Sequence, residues 1–106
     1  MVEKIKEILE QREGTHGLYS EVSSVSQGIK MTMQISVNWK HLKAEQRESL
    51  EMIANKIGRV LSGNCDFLDH WHDISGYASL IVKELETQAE DESDVPAKLH
   101  RTGLNA

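Results

Sequence analysis

Two apolar stripes of helical period, separated by a turn of a few residues, constrain this chain more than any other feature. Leu50, Ile53, Ala54, Ile57, Val60 and Leu61 recur every three or four residues. Trp71, Ile74, Ala78, Ile81 and Leu85 do the same beyond a break at Gly63-Asn64-Cys65-Asp66. A connection this short leaves two long helices side by side and antiparallel. The spacing predicts the pair over 44–62 and 69–86. Gly63 is expected to end the first in a left-handed conformation, and Asp69 to cap the second.

The remaining chain extends the same all-α pattern. Val2, Ile5, Ile8 and Leu9 predict a first helix ending near Arg12, with Gly14 and Gly17 breaking it. The stretch 13–20 then reads as a loop, with Ser20 as the N-cap of a second helix. Val22, Val25, Ile29 and Met33 mark that helix, although Thr32 to Val37 also reads as a short extended run. Aromatics are only 5% of the chain, so Trp39 is expected to plug the core. The fold class is therefore all-α: a small four-helix bundle-like domain over 1–88. From Glu84 to Asp94 there are six acids and no base. That composition, with Pro96 beyond it, predicts a flexible acidic tail over 89–106.

Composition excludes several classes. A chain of 106 residues has room for one domain. Its formal net charge of -5, with no Lys/Arg stripe, argues against a nucleic-acid partner. No apolar run approaches the roughly 20 residues of a membrane span, and the N-terminus lacks the apolar segment of a signal peptide. A cytoplasmic protein is expected, and the lone Cys65 excludes an internal disulfide. The apolar stripes exceed what one short chain comfortably buries, which points to a homo-oligomer, a dimer or tetramer.

The densest chemistry opens the fourth helix, at Asp69-His70-Trp71-His72-Asp73. At about 100° per residue, Leu80, Tyr77, His70, Ile74, Ala78 and Trp71 define a wide inward arc that contains Asp73. A carboxylate facing an apolar interior needs a pair, a hydrogen bond or a metal. His70, Asp73 and Tyr77 lie three and four residues apart and share one face. Two readings stay open. In one, the acids only complement the helix N-terminus and His70 is a core histidine satisfied by a backbone carbonyl. In the other, Glu48 and Glu51 of the third helix reach across and converge with His70 and Asp73 on one hard cation, Mg²⁺. Lys56 and Arg59 point away from the stripe, as surface residues or as phosphate contacts supplied to a neighbouring subunit.

The run from Leu50 to Gly63, with Asp69 to Leu80 after it, resembles a family of small phage and prophage proteins without assigned activity, whose ending reads roughly W-x-D-I-A-G-Y. Gly14 to Tyr19 and Asn38 to Glu48 carry the likeness upstream, so it covers about residues 11–86. More remotely the arrangement is similar to the MazG-like all-α NTP pyrophosphohydrolases, which place E-E-x-x-E on one helix and E-x-x-D on the next to bind Mg²⁺ against a nucleoside triphosphate. Glu48 and Glu51 match the last two acids of the first motif and Asp73 the final acid of the second. Arg47 and His70 stand where the other two acids would be. The resemblance implies a homo-oligomer handling a nucleotide or related phosphorylated ligand. Glu48, Glu51 and Asp73 would hold Mg²⁺, and His70 would act with Asp73 as the catalytic pair. Lys56, Arg59 and Tyr77 would contact the ligand. The alternative is a non-enzymatic interaction module that binds a host protein or sequesters a nucleotide.

Overall fold

In the computed structural model, which describes residues 2–92, four helices succeed one another: α1 (Val2–His16), α2 (Tyr19–Gln34), α3 (Ala44–Ser62) and α4 (Leu68–Glu92). A single 3₁₀ turn, Trp39–His41, interrupts the link between α2 and α3. The all-α class and the antiparallel α3–α4 pair are as the apolar periodicity predicts. The boundaries differ in instructive ways. α1 runs straight through Gly14, where the chain is open on all sides and nothing penalises the helix beyond the usual glycine cost. Only Gly17 and Leu18 separate it from α2, so Leu18, not Ser20, is the N-cap. α2 continues to Gln34, which leaves no extended run. α4 starts one residue before Asp69 and continues to Glu92, so residues 89–92 are helical, and the rest of the expected tail lies outside the described residues.

α3 is the spine. It packs against α2 on one side and α4 on the other, while α1 makes lighter contacts with α2 and α3. The α2 contact is close because the residues at it are small. Val22 and Ser26 of α2 meet Ala54 and Gly58 of α3, all four buried. A Cβ on Gly58 would lie 2.9 Å from the Val22 carbonyl oxygen, so only glycine permits the crossing. Ser26 gains no compensation there: its hydroxyl is buried without a hydrogen-bond partner. On the opposite side, Ser49 and Lys56 of α3 face α4, whose inward residues include the fully buried His70. Helical spacing of about 100° per residue puts Lys56 some 200° round from Ala54, so α2, α3 and α4 form a layer, not a closed bundle.

The layer buries little. Val22 and Ala54 are its only fully buried apolar side chains among the described residues. Trp71 and Leu80, expected to face inward, are 51% and 61% exposed. The inward arc of α4 is narrower than the stripe suggests and centres on His70 and Tyr77. Leu50, Leu61, Val82 and Leu85 are also exposed. Trp39 is half-buried in its turn.

The end of α3 is welded to the end of α1. Gly17 has φ +86°, and a Cβ there would lie 2.5 Å from the Ser62 carbonyl carbon. Gly63 is not left-handed, with φ −118°. It is glycine because a Cβ would lie 2.5 Å from the Gly17 nitrogen and the His16 carbonyl carbon. Two backbones cross here with no room for side chains.

Candidate functional site

The carbonyl of Thr15, at this crossing, accepts two hydrogen bonds: from the Asn64 N–H at 3.0 Å and from the His70 ring Nε2 at 2.8 Å. Because a carbonyl can only accept, His70 carries its proton on Nε2. Asn64 also builds the α3–α4 turn. Its side-chain oxygen accepts from the Asp66 N–H at 2.9 Å and its carbonyl from the Phe67 N–H at 3.1 Å. The His70 ring sits edge-on to His16 and to Phe67, with centroids 4.9 Å away in both cases. It is 1% exposed and sealed from solvent. The first of the two readings of His70, a core histidine held by a backbone carbonyl, describes this geometry.

Asp73, one turn along α4, points to a different partner. Its carboxylate lies 3.2 Å from the Lys56 ammonium. Lys56 is not on the surface: it is 8% exposed, its stem laid into the α3–α4 seam and its charge neutralised by Asp73. Glu48 lines a shallow groove farther along the seam with Tyr77, Leu80 and Glu84, and Glu51 is half-buried on the same helix. Glu84 has its carboxyl pushed up, first by a hydrogen bond with Glu45, despite the Lys43 ammonium 3.8 Å away. The structure therefore does not bring Glu48, Glu51, His70 and Asp73 to one point. Among the described residues no group of three or more His, Cys, Asp or Glu side chains is placed to hold a metal ion. The donor set expected for Mg²⁺ does not fit, since the nearest cation to Asp73 is the protein's own.

Arg59 departs from the surface too. It is half-buried and lines a cavity of about 280 Å³ with Arg12 and His16 of α1, Tyr19 of α2 and Asn55 of α3. Its guanidinium is held below its ordinary value, first by burial and then by Arg12, with Asp73 and Tyr77 acting the other way. The His16 imidazole is lowered too, by burial first, then by Arg59, His70, Arg12 and Lys56. A helix broken at Gly14 would hide Arg12 and His16 as a pair. In a continuous helix their spacing of four puts them on one face. No protein-family model, no curated protein and no solved structure matches this chain.

Proposed function

We propose that this chain is a non-enzymatic interaction module that works as an assembly of its own copies. One observation carries the reading: the apolar residues of α3 and α4 share one open face. Leu50 and Ile53 of α3, with Ala78 and Ile81 of α4, line a groove along the seam whose walls are mostly apolar. Val82 and Leu85 continue the stripe along α4 at the same period. A layer with two fully buried apolar side chains leaves much of its apolar surface in water, which favours a partner that covers it. A partner present whenever the chain is present covers that face best. A second copy meets that condition by construction, and two such layers packed face to face would close a four-helix seam.

The hydrolytic alternative needs carboxylates gathered around a cation. Here Lys56 occupies Asp73, and Glu48 looks into a separate groove. That arrangement supports the interaction reading over turnover.

Sedimentation equilibrium of the intact chain tests the proposal. The expected mass is a multiple of 12.0 kDa at micromolar concentration. Val82→Glu, on the open face, should shift the protein towards the single-chain mass. Leu80→Glu, equally exposed but on the opposite side of α4, should not. A wild type that stays at single-chain mass through tens of micromolar overturns the reading.

A further inference from the structure

The cavity between α1, α2 and α3 gathers residues from separate stretches of the sequence, and it lies on the face of α3 opposite the apolar groove: Asn55 is about 200° round the helix from Ile53. Two guanidinium groups, Arg12 and Arg59, converge on it from different helices with the His16 imidazole beside them. In a chain of net charge -5, acids are plentiful, yet neither arginine has an ion pair among the described residues. Glu13 also lines the cavity and makes no ion pair with them. The His16 Nδ1 is engaged by the Thr15 hydroxyl at 2.6 Å, which leaves Nε2 as the ring nitrogen without a partner among the described residues. Tyr19 and Asn55 add neutral donors, and Leu9 and Val22 supply apolar wall. The half-buried Arg59 guanidinium and the exposed Arg12 beside it, two like charges without an anion between them, raise the energy of the folded chain. Such an arrangement is stabilised by whatever anion enters it, and planar guanidinium forks match tetrahedral oxyanions two hydrogen bonds at a time.

We propose that this cavity binds a phosphate-class oxyanion, clamped between Arg12 of α1 and Arg59 of α3. The volume, about 280 Å³, sits at the small end of ligand pockets. It suits inorganic phosphate or the phosphoryl end of a small monoester, whose organic part would lie against Leu9 and Val22. Because α1 makes only light contacts with the rest of the layer, an anion shared by Arg12 and Arg59 would also tie α1 down. The proposal does not rest on self-assembly, since the two faces are opposite.

The test uses the intact protein, with inorganic phosphate and phenyl phosphate as probes and sodium chloride at matched ionic strength as the control. The His16 ring resonances, tracked by NMR, should move saturably with phosphate and not with chloride. The His16 pKa should rise on binding, because a dianion offsets the two guanidiniums. Arg12→Gln removes an exposed side chain and leaves the fold intact by circular dichroism. It should weaken phosphate binding at least tenfold, the order expected for one charge-assisted contact. Arg59→Lys, which keeps the charge and loses the fork, should weaken it as well. Phenyl phosphate binding ten times tighter than phosphate marks a monoester site, and equal affinity marks free phosphate; either supports the cavity. Identical responses to phosphate and chloride, or an Arg12→Gln protein with unchanged phosphate affinity, overturn it.

Discussion

Gly17→Ala is the substitution for which the structure makes the sharpest demand. At φ +86° an alanine carries the left-handed penalty of about 1–2 kcal/mol. Its Cβ would also lie 2.5 Å from the carbonyl carbon and oxygen of Ser62, and that backbone cannot swing aside as a side chain can. The α1–α2 turn must back away from the end of α3. Doing so stretches both hydrogen bonds to the Thr15 carbonyl, from Asn64 and His70, each contributing about 0.5–1.5 kcal/mol net. The total loss is about 2–5 kcal/mol, a large share of a typical domain's stability. Urea unfolding monitored by helical circular dichroism, at one fixed protomer concentration, measures it. Gly14→Ala, three residues earlier, is the control. With nothing within 4 Å and a helical backbone, it should stabilise by about 0.5–1 kcal/mol. A Gly17→Ala protein within about 1 kcal/mol of wild type would show that the two backbones do not cross as described.

Asp73→Asn should destabilise by about 1–3 kcal/mol, less than a fully buried pair, because it strands the buried Lys56 ammonium while half of Asp73 is already in water. Millimolar Mg²⁺ should leave the melting temperature of both proteins unchanged; a Mg²⁺-dependent rise that the variant abolishes would reinstate the carboxylate site. Ser26→Ala should raise stability by about 1–3 kcal/mol, since it deletes a buried hydroxyl that has no partner, and a loss in urea unfolding would mean the hydroxyl is bonded. The lowered His16 imidazole gives a pH dependence of definite sign. The unfolded chain takes up this proton first, so the contribution is complete above the ordinary value of about 6.5 and is lost as pH falls through the lower folded value. His16→Gln should flatten the stability profile on the acid side of about pH 6.5, and an unchanged slope there would assign it to other groups.

The helices that pack along their length are the legible ones. α3 and the start of α4 announce themselves because each carries a stripe of period 3.6, and a short turn fixes their antiparallel sense. What the sequence conceals depends on contacts between distant backbones. The partner of His70 is the carbonyl of residue 15, a group every residue has and no motif records. Gly63 looks like a helix-ending glycine, and its real constraint, the approach of Gly17, belongs to another part of the chain. Lys56 reads as a surface residue until the angle between α3 and α4 is known, when its stem lies in the seam and Asp73 meets it. The expected acidic centre fails for a related reason. Periodicity says which residues share a helix face but not which neighbour that face meets, and α3 has neighbours on two sides.

The bond between His70 and Thr15 joins residues 55 positions apart. On a ribosome adding about 5–20 residues per second, position 70 emerges after position 15 by roughly 3–11 s. Through that interval the Thr15 carbonyl lacks its ring partner, and α1 is held by its lighter contacts with α2 and α3 until the start of α4 arrives.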